Sequence, residues 1–283
     1  MSSIVLLFDR VRWEEKKLGA RAVQMGIDLR MMDARELLLG TTDDTVGFVS
    51  VALQRCVSHS RGLHVAEYME SKGAKVINSS VVGRLCGDKL STSMALGRAG
   101  IPHPKTIACF SIEAAMRAAE DLGYPVVTKP INGSWGRNVA VLSDPRSLRS
   151  YLELRESSGN PEDHIYYLQE FVKIPGRDIR CVCVGDTVVA SIYRYAEPGE
   201  WRTNVALGGR AEPCPLDARQ KEIVLKAAQT VGGGVLGVDC MEGPDGLMVH
   251  EINSNVEFKG ASSATGADVA GRIIEYVKET ASR

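Results

Sequence analysis

No stretch of this 283-residue chain approaches the roughly 18 consecutive apolar residues of a membrane-spanning helix. Charge of one sign is lacking too. The formal net charge is -1, without a charged tail, which argues against a nucleic-acid or membrane-surface partner. Cysteine pairing signals are absent. Cys56, Cys86, Cys109, Cys181, Cys183, Cys214 and Cys240 are odd in number and form no C-x-x-C, so free thiols in a reducing cytosol are expected. The five histidines offer no zinc spacing. There is no internal repeat, no low-complexity linker, no Walker A sequence and no G-x-G-x-x-G.

What is present is globular material, 44% hydrophobic and 24% charged, long enough for two or three lobes. The opening "MSSIVLLFDRVRWEEKK" turns charged after five apolar residues and reads as a first strand, not a signal peptide. Strand and helix signals alternate over the first 80 or so residues: "EEKKLGARAVQMG" as helix, "VGFVSVAL" as strand, "SRGLHVAEYMESKG" as helix with Ser60 as N-cap, "AKVINS" as strand. A small parallel sheet is expected there. "GDKLSTSMALGRAG" reads as a helix ending at Gly100. "TIACF", "SIEAAMRAAEDLG" and "PVVTKP" read as a β-α-β unit, followed by the loop "NGSWGRN" and the strand "VAVL". "IYYLQEFV", "DIRCVCVG" and "TVVASIYRY" read as antiparallel strands, and "VLGVDCME" with "GLMVHEIN" as a hairpin around "GPDG". "QKEIVLKAAQTVGG" and "DVAGRIIEYVKETAS" read as helices.

The hairpin carries the first chemical signal. Strand alternation puts Val249, Glu251, Asn253 and Asn255 on one face and His250, Ile252 and Ser254 on the other. Asp239 on the partner strand can face Glu251 and Asn253. Two carboxylates and an amide suit Mg²⁺, whose remaining positions are usually taken by phosphates. Lys129 ends an apolar strand and Lys89 opens a helix, places where lysines can meet phosphate. The loop of Gly133, Ser134, Trp135, Gly136 and Arg137 has small residues that let backbone amides approach an anion. Glu170, Phe171 and Val172 end a strand whose backbone could pair with an adenine edge, and Asp178, sharing a face with Arg180, could accept from a ribose hydroxyl. Arg194, Arg202 and Asn204 could hold carboxylate or phosphoryl oxygens. Each feature alone is ordinary surface polarity; their order along one chain is not.

Taken together, "GRDIRCVCVG", "YRYAEPGEWRTN" and "GVDC...EINSN" resemble the RimK group of ATP-grasp ligases. "LFDRVRWEEKKL", "ALQRCVSHSRGL", "KPINGSWGRNVA" and "NVEFKG" are similar to its LysX and ArgX branch. The resemblance covers nearly the whole chain. It implies an α/β and α+β ATP-grasp fold: an N-terminal pre-ATP-grasp domain (1–84), a central subdomain (85–167) and a C-terminal subdomain (168–283). It implies ATP, two Mg²⁺ ions and an acylphosphate route to an amide. The acceptor would be the side chain of the C-terminal glutamate of a small LysW carrier, and the amine that of α-aminoadipate or glutamate. By the same resemblance Asp239, Glu251 and Asn253 hold metal, while Lys89 and Lys129 contact phosphates. The 133–137 loop covers the transferred group, Glu170 to Val172 bind adenine, and Arg194, Arg202 and Asn204 stabilise the acylphosphate. A basic strip of Arg10, Arg12, Arg55, His59 and Arg61 would meet the acidic carrier or the amino acid. Ser254 and Asn255, where this branch reads His and Thr, border the amino-acid pocket. A homo-oligomer, dimer or tetramer, is implied. Two further readings stand beside this one: a RimK-like ligase adding glutamate to a protein tail or cofactor, and a nucleotide-binding regulator without turnover.

Overall fold

The computed structural model describes residues 3–42, 45–133, 138–196 and 210–282. The N-terminal sheet is parallel, in the order β2-β1-β3-β4, from β1 (Ile4–Phe8), β2 (Leu29–Asp33), β3 (Val51–Gln54) and β4 (Lys75–Ile77). Val5, Leu6 and Leu7 are fully buried, because a central parallel strand is covered on both faces. That is why "IVLLF" does not alternate. β2 had no clear strand signature: it is an edge strand of mixed exposure. Helices α1 (Trp13–Gln24) and α2 (His59–Ser71) make the crossovers. Ser58, not the expected Ser60, caps α2 by accepting from the Arg61 amide.

After α3 (Ser80–Gly87) and α4 (Lys89–Arg98) come β5 (Thr106–Cys109), α5 (Ile112–Leu122), β6 (Val126–Lys129), β7 (Ala140–Leu142), α6 (Pro145–Glu156) and β8 (Tyr166–Glu170). The sheet order is β5-β8-β6-β7. β8 inserts antiparallel between β5 and β6, so the expected β-α-β pair is not adjacent. A boundary at 167/168 falls inside β8.

The third sheet runs β11-β10-β9-β12-β13, from β9 (Arg177–Val184), β10 (Thr187–Tyr195), β11 (Arg210–Pro213), β12 (Val235–Gly243) and β13 (Gly246–Asn253). Helices α7 (Ala218–Thr230), α8 (Lys259–Thr265) and α9 (Val269–Ser282) complete it. Alternation along β9 divides its labour. Ile179, Cys181 and Cys183 pack in one core with Val224, Ala227 and Ala228 of α7. Val182 and Val184 join another core with Ile273 and Ile274 of α9. The apolar "CVC" is therefore covered on both sides, and all seven cysteines are free.

The core under α9 also contains Ile4, Leu6 and Leu53 of the N-terminal sheet, so the first and third lobes share one interior. Each fully buried Leu, Ile or Phe there contributes roughly 1.5–3 kcal/mol. Asn78 fixes the seam. Its amide donates to the carbonyls of Val235 and Ser254, both at 2.7 Å, and accepts from the Val235 amide at 2.7 Å.

Candidate active site

A cleft of about 1450 Å³ opens where the central and C-terminal sheets face each other below the N-terminal lobe. Its floor is the third sheet. There Asp239 of β12 lies directly opposite Glu251 of β13, and Gly237 opposite Asn253. The next pair is Cys240 with Val249, so His250 is an extra residue opposite no partner of its own. This β-bulge breaks the simple alternation. Val249 turns away from Glu251 into the core with Cys240, correcting the expectation that it shares the carboxylate face. His250 instead lines the cleft beside Glu251.

Two bidentate ion pairs organise the floor. Arg180 binds both oxygens of Asp239, at 2.7 and 2.6 Å, and Arg194 binds both of Asp178, at 2.7 and 2.5 Å. Arg194 also lies 3.4 Å from Asp239, and Asn253 donates to Asp239 at 3.3 Å. Burial raises the Asp239 carboxyl, but Arg180 and Arg194 outweigh it and hold the group well below its ordinary value. Arg194 is 4% exposed with Nε and Nη2 committed to Asp178. It lines the cleft floor and orients the carboxylates there. Arg180 is the cation that sequence reasoning placed on this face without giving it a role.

The opposite wall supplies lysines. Lys129 ends β6 and donates to Gln169 at 2.8 Å. Burial pushes its pKa down to about 8, with Lys89 acting the same way and Glu251 against both. Lys89 follows Asp88, the N-cap of α4, and donates to the Gly133 carbonyl at 2.7 Å, 3.8 Å from Glu251. Lys89, Lys129, Arg180 and Arg194 thus line the cleft together with Asp178, Asp239 and Glu251. Among the described residues no three His, Cys, Asp or Glu side chains could hold a metal by themselves. Asp239, Glu251 and Asn253 fit Mg²⁺ only if phosphate oxygens and water complete its shell.

Glu170, Phe171 and Val172 line the cleft beyond Lys129, with the Glu170 carboxylate accepting from the Lys105 amide at 2.7 Å. Gly133 stands at the cleft edge with φ 131°, a value that favours glycine. Ser134, Trp135, Gly136, Arg137, Arg202 and Asn204 lie outside the described residues.

The N-terminal basic strip does not hold together. Arg55 is 2% exposed; it bonds Glu15 at 3.2 Å and the Val256 carbonyl at 3.0 Å, so it ties two lobes instead of meeting a partner. Arg12 is likewise engaged, with Glu15 at 2.7 Å and the Asn255 side chain at 3.2 Å. Asn255 in turn donates to the Cys56 carbonyl at 2.6 Å. Arg61 pairs with Asp9 at 2.7 Å. His59 lines the cleft, packed so closely on Gly87 that a Cβ there would sit 2.2 Å from its ring. Arg10 borders a second cavity of about 650 Å³ between the N-terminal and central lobes. Ser254 and Asn255 line the main cleft where it meets the N-terminal lobe.

Comparison with known proteins agrees with this geometry. Residues 86–277 match the RimK-like ATP-grasp domain and residues 4–85 the LysX preATP-grasp domain. The chain is 38% identical to the glutamate–LysW ligase ArgX of Sulfurisphaera tokodaii, covering 99% of both chains. It is 37% identical to the α-aminoadipate–LysW ligase LysX of the same organism, covering 97% of both. A crystal structure of a RimK domain ATP-grasp protein from Sphaerobacter thermophilus superposes with a TM-score of 0.82 at 27% identity, covering 97% of this chain and 99% of that one. Two lysines facing two carboxylates across a cleft between antiparallel sheets are what an ATP-dependent ligase needs, and this chain belongs to the RimK-like ATP-grasp family, in its LysX and ArgX branch.

Proposed function

We propose that this protein joins the α-amine of α-aminoadipate, and also that of glutamate, to the side-chain carboxylate of the C-terminal glutamate of a LysW-type carrier, at the expense of ATP. The observation that carries this reading is Asp239 opposite Glu251, with Lys89 and Lys129 facing them across the cleft. The 38% and 37% identities to a glutamate and an aminoadipate ligase do not separate the two amines. One methylene between them is worth only about 1–3 kcal/mol of discrimination.

In this reading Lys89 and Lys129 hold the polyphosphate, and Asp239, Glu251 and Asn253 hold two Mg²⁺ ions against it. Held by Asp239, Glu251 and Asn253, Mg²⁺ would supply charge neutralisation on the phosphates as the terminal one moves. Arg180 and Arg194 keep the Asp239 carboxylate ionised and oriented. A carrier carboxylate oxygen attacks the terminal phosphorus and ADP departs. The neutral amine then attacks the acyl carbon, phosphate leaves with the bonding pair, and the amine proton is lost to solvent. Residues 133–137 are proposed to cover the acylphosphate against water. Ser254 and Asn255, at the lobe junction, border the amino-acid side, and Arg10, His59 and Arg61 the carrier side. The free thiols suit a cytoplasmic setting.

The test is the mass of a LysW-type carrier incubated with ATP, Mg²⁺ and each amino acid. A gain with both amines supports the reading, and a gain with one narrows it. No gain with either, while nucleotide still binds, moves the function to a RimK-like ligase with another acceptor.

A further inference from the structure

The N-terminal sheet has an opening of its own. Its order is β2-β1-β3-β4, so the chain leaves β1 toward one side and comes back on the other for β3. The crevice at the carboxyl ends of β1 and β3 is therefore the topological switch point, where open α/β sheets bind ligands. Asp9 and Arg10 follow β1 there, and Val57 and Ser58 follow β3. All four line the second cavity. Its volume of about 650 Å³ lies within the roughly 300–1,000 Å³ usual for small-molecule sites. It meets the main cleft at Pro130, Gly133 and Glu162, but none of Lys89, Lys129, Asp239, Glu251 or Asn253 lines it.

The charges around this cavity are of two kinds. Asp9 is already answered: it accepts from the Val57 and Ser58 amides at 2.7 and 3.0 Å and from Arg61 at 2.7 Å. Arg155, on the wall from the last turn of α6, is not. It is 8% exposed, and its Nη2 donates to Asp163 at 2.9 Å. Its Nη1 is shut off from solvent and has no hydrogen-bond partner among the described residues. A buried guanidinium nitrogen without a partner is costly, and an apolar side chain would cover this wall without that cost. Arg10 and Glu162, both exposed, form no ion pair among the described residues. Two cations and one anion are thus left to be answered, Arg10 from the N-terminal lobe and Arg155 with Glu162 from the central one. A simple anion would leave Glu162 facing it, and a simple cation would meet two arginines. A molecule with two carboxylates and one ammonium matches the set.

We propose that this cavity is a binding site for a free dicarboxylic amino acid, whose carboxylates meet Arg10 and Arg155 and whose ammonium meets Glu162. The site is separate from the amino-acid position at Ser254 and Asn255 and does not rest on the ligase reading. Its occupant ties the N-terminal lobe to the central lobe, and no bond is made or broken there.

The experiment is calorimetric binding of L-glutamate and N-acetyl-L-glutamate to the whole protein, without nucleotide or carrier. The proteins are wild type, Arg155→Leu, Glu162→Gln and Asn255→Ala, each checked by a thermal melt. Asn255→Ala, altered at the main cleft, should keep a glutamate site of wild-type affinity. Arg155→Leu and Glu162→Gln should bind glutamate about tenfold more weakly, for one charge-assisted hydrogen bond lost. N-acetyl-L-glutamate keeps both carboxylates but has no cation. It should bind wild type about tenfold more weakly than glutamate, and Glu162→Gln no worse than wild type. Glu162 is exposed, so Glu162→Gln decides the matter if Arg155→Leu does not fold. Glutamate binding lost in Asn255→Ala but kept in both cavity variants overturns the inference and leaves the proposed function standing. A raised KM for the carrier in the cavity variants, with glutamate binding unchanged, overturns it too, as does no glutamate binding by wild type. Failure to load the carrier while this site still binds glutamate overturns the proposed function alone.

Discussion

Arg180 grips both oxygens of Asp239, at 2.7 and 2.6 Å, on the floor of the cleft, at a residue proposed to hold metal. The carboxylate is 3% exposed and the guanidinium 20%. Such a pair adds little net stability, but removing one partner leaves the other buried and uncompensated, typically costing about 3–5 kcal/mol. Arg194, 3.4 Å from Asp239, softens this. Arg180→Ala should therefore lower the unfolding free energy in urea by about 2 kcal/mol. Adding Asp239→Asn should restore part of that loss, giving a non-additive cycle, while abolishing ligation. Simple additivity would mean the pair is not coupled.

Lys129 gives the nucleotide site a pH dependence. Its folded pKa is pushed down to about 8 by burial, and phosphate binding favours the protonated form. Nucleotide affinity should be full below pH 8 and should decline as pH rises through it. Lys129→Arg should flatten that decline, because arginine keeps its charge. Lys129→Met should weaken ADP binding at pH 7 by roughly tenfold or more, the loss of a charge-assisted hydrogen bond. A flat wild-type profile between pH 7 and 9 would place Lys129 away from the phosphates.

Asn78 closes three hydrogen bonds to Val235 and Ser254 across the seam between the first and third lobes. Asn78→Ala should leave those backbone groups unpaired and cost about 2–4 kcal/mol in urea unfolding, at one to three kcal/mol for the buried groups left behind. Gly234→Ala should be comparably harmful. Its φ is +107°, and a Cβ would fall 2.0 Å from the Asn78 Oδ1. Either variant melting like wild type would show that the seam is held by its apolar core alone.

Asn255 bridges Arg12 and the Cys56 carbonyl at the junction of the lobes. In the proposed function this junction borders the amino acid. Asn255→Ala should raise the KM for aminoadipate and glutamate, by about threefold to tenfold for a lost hydrogen bond, while leaving the Kd for ADP unchanged. Equal loss of nucleotide binding would make Asn255 a purely structural clamp.

The cysteines should be silent in the native protein. Cys56, Cys109, Cys181, Cys183, Cys214 and Cys240 are buried, and burial pushes the half-buried Cys86 thiol up to about 12. A thiol reagent at pH 8 should react slowly with the folded chain and rapidly with all seven sites in guanidinium. Fast reaction of several thiols in the native state would contradict this packing.

Local sequence determined a good deal. Periodicity and caps marked the first strand, the helices α5, α7 and α9, and the hairpin of β12 and β13, because each buries one continuous local pattern. Asp239, Glu251, Lys89 and Lys129 stood out as well, by the order of their motifs along the chain, and the structure sets all four on one cleft. Tertiary structure decided the rest. Only the sheet could insert β8 between β5 and β6, since strand order depends on pairing between distant segments. The shared core beneath α9 turned Arg55 from a surface cation into a buried tie. Nothing in "MVHEIN" announced a bulge, because an extra residue exists only relative to the partner strand. That single insertion sent Val249 inward and His250 into the cleft, and pairing between strands far apart in the chain set Arg180 on Asp239.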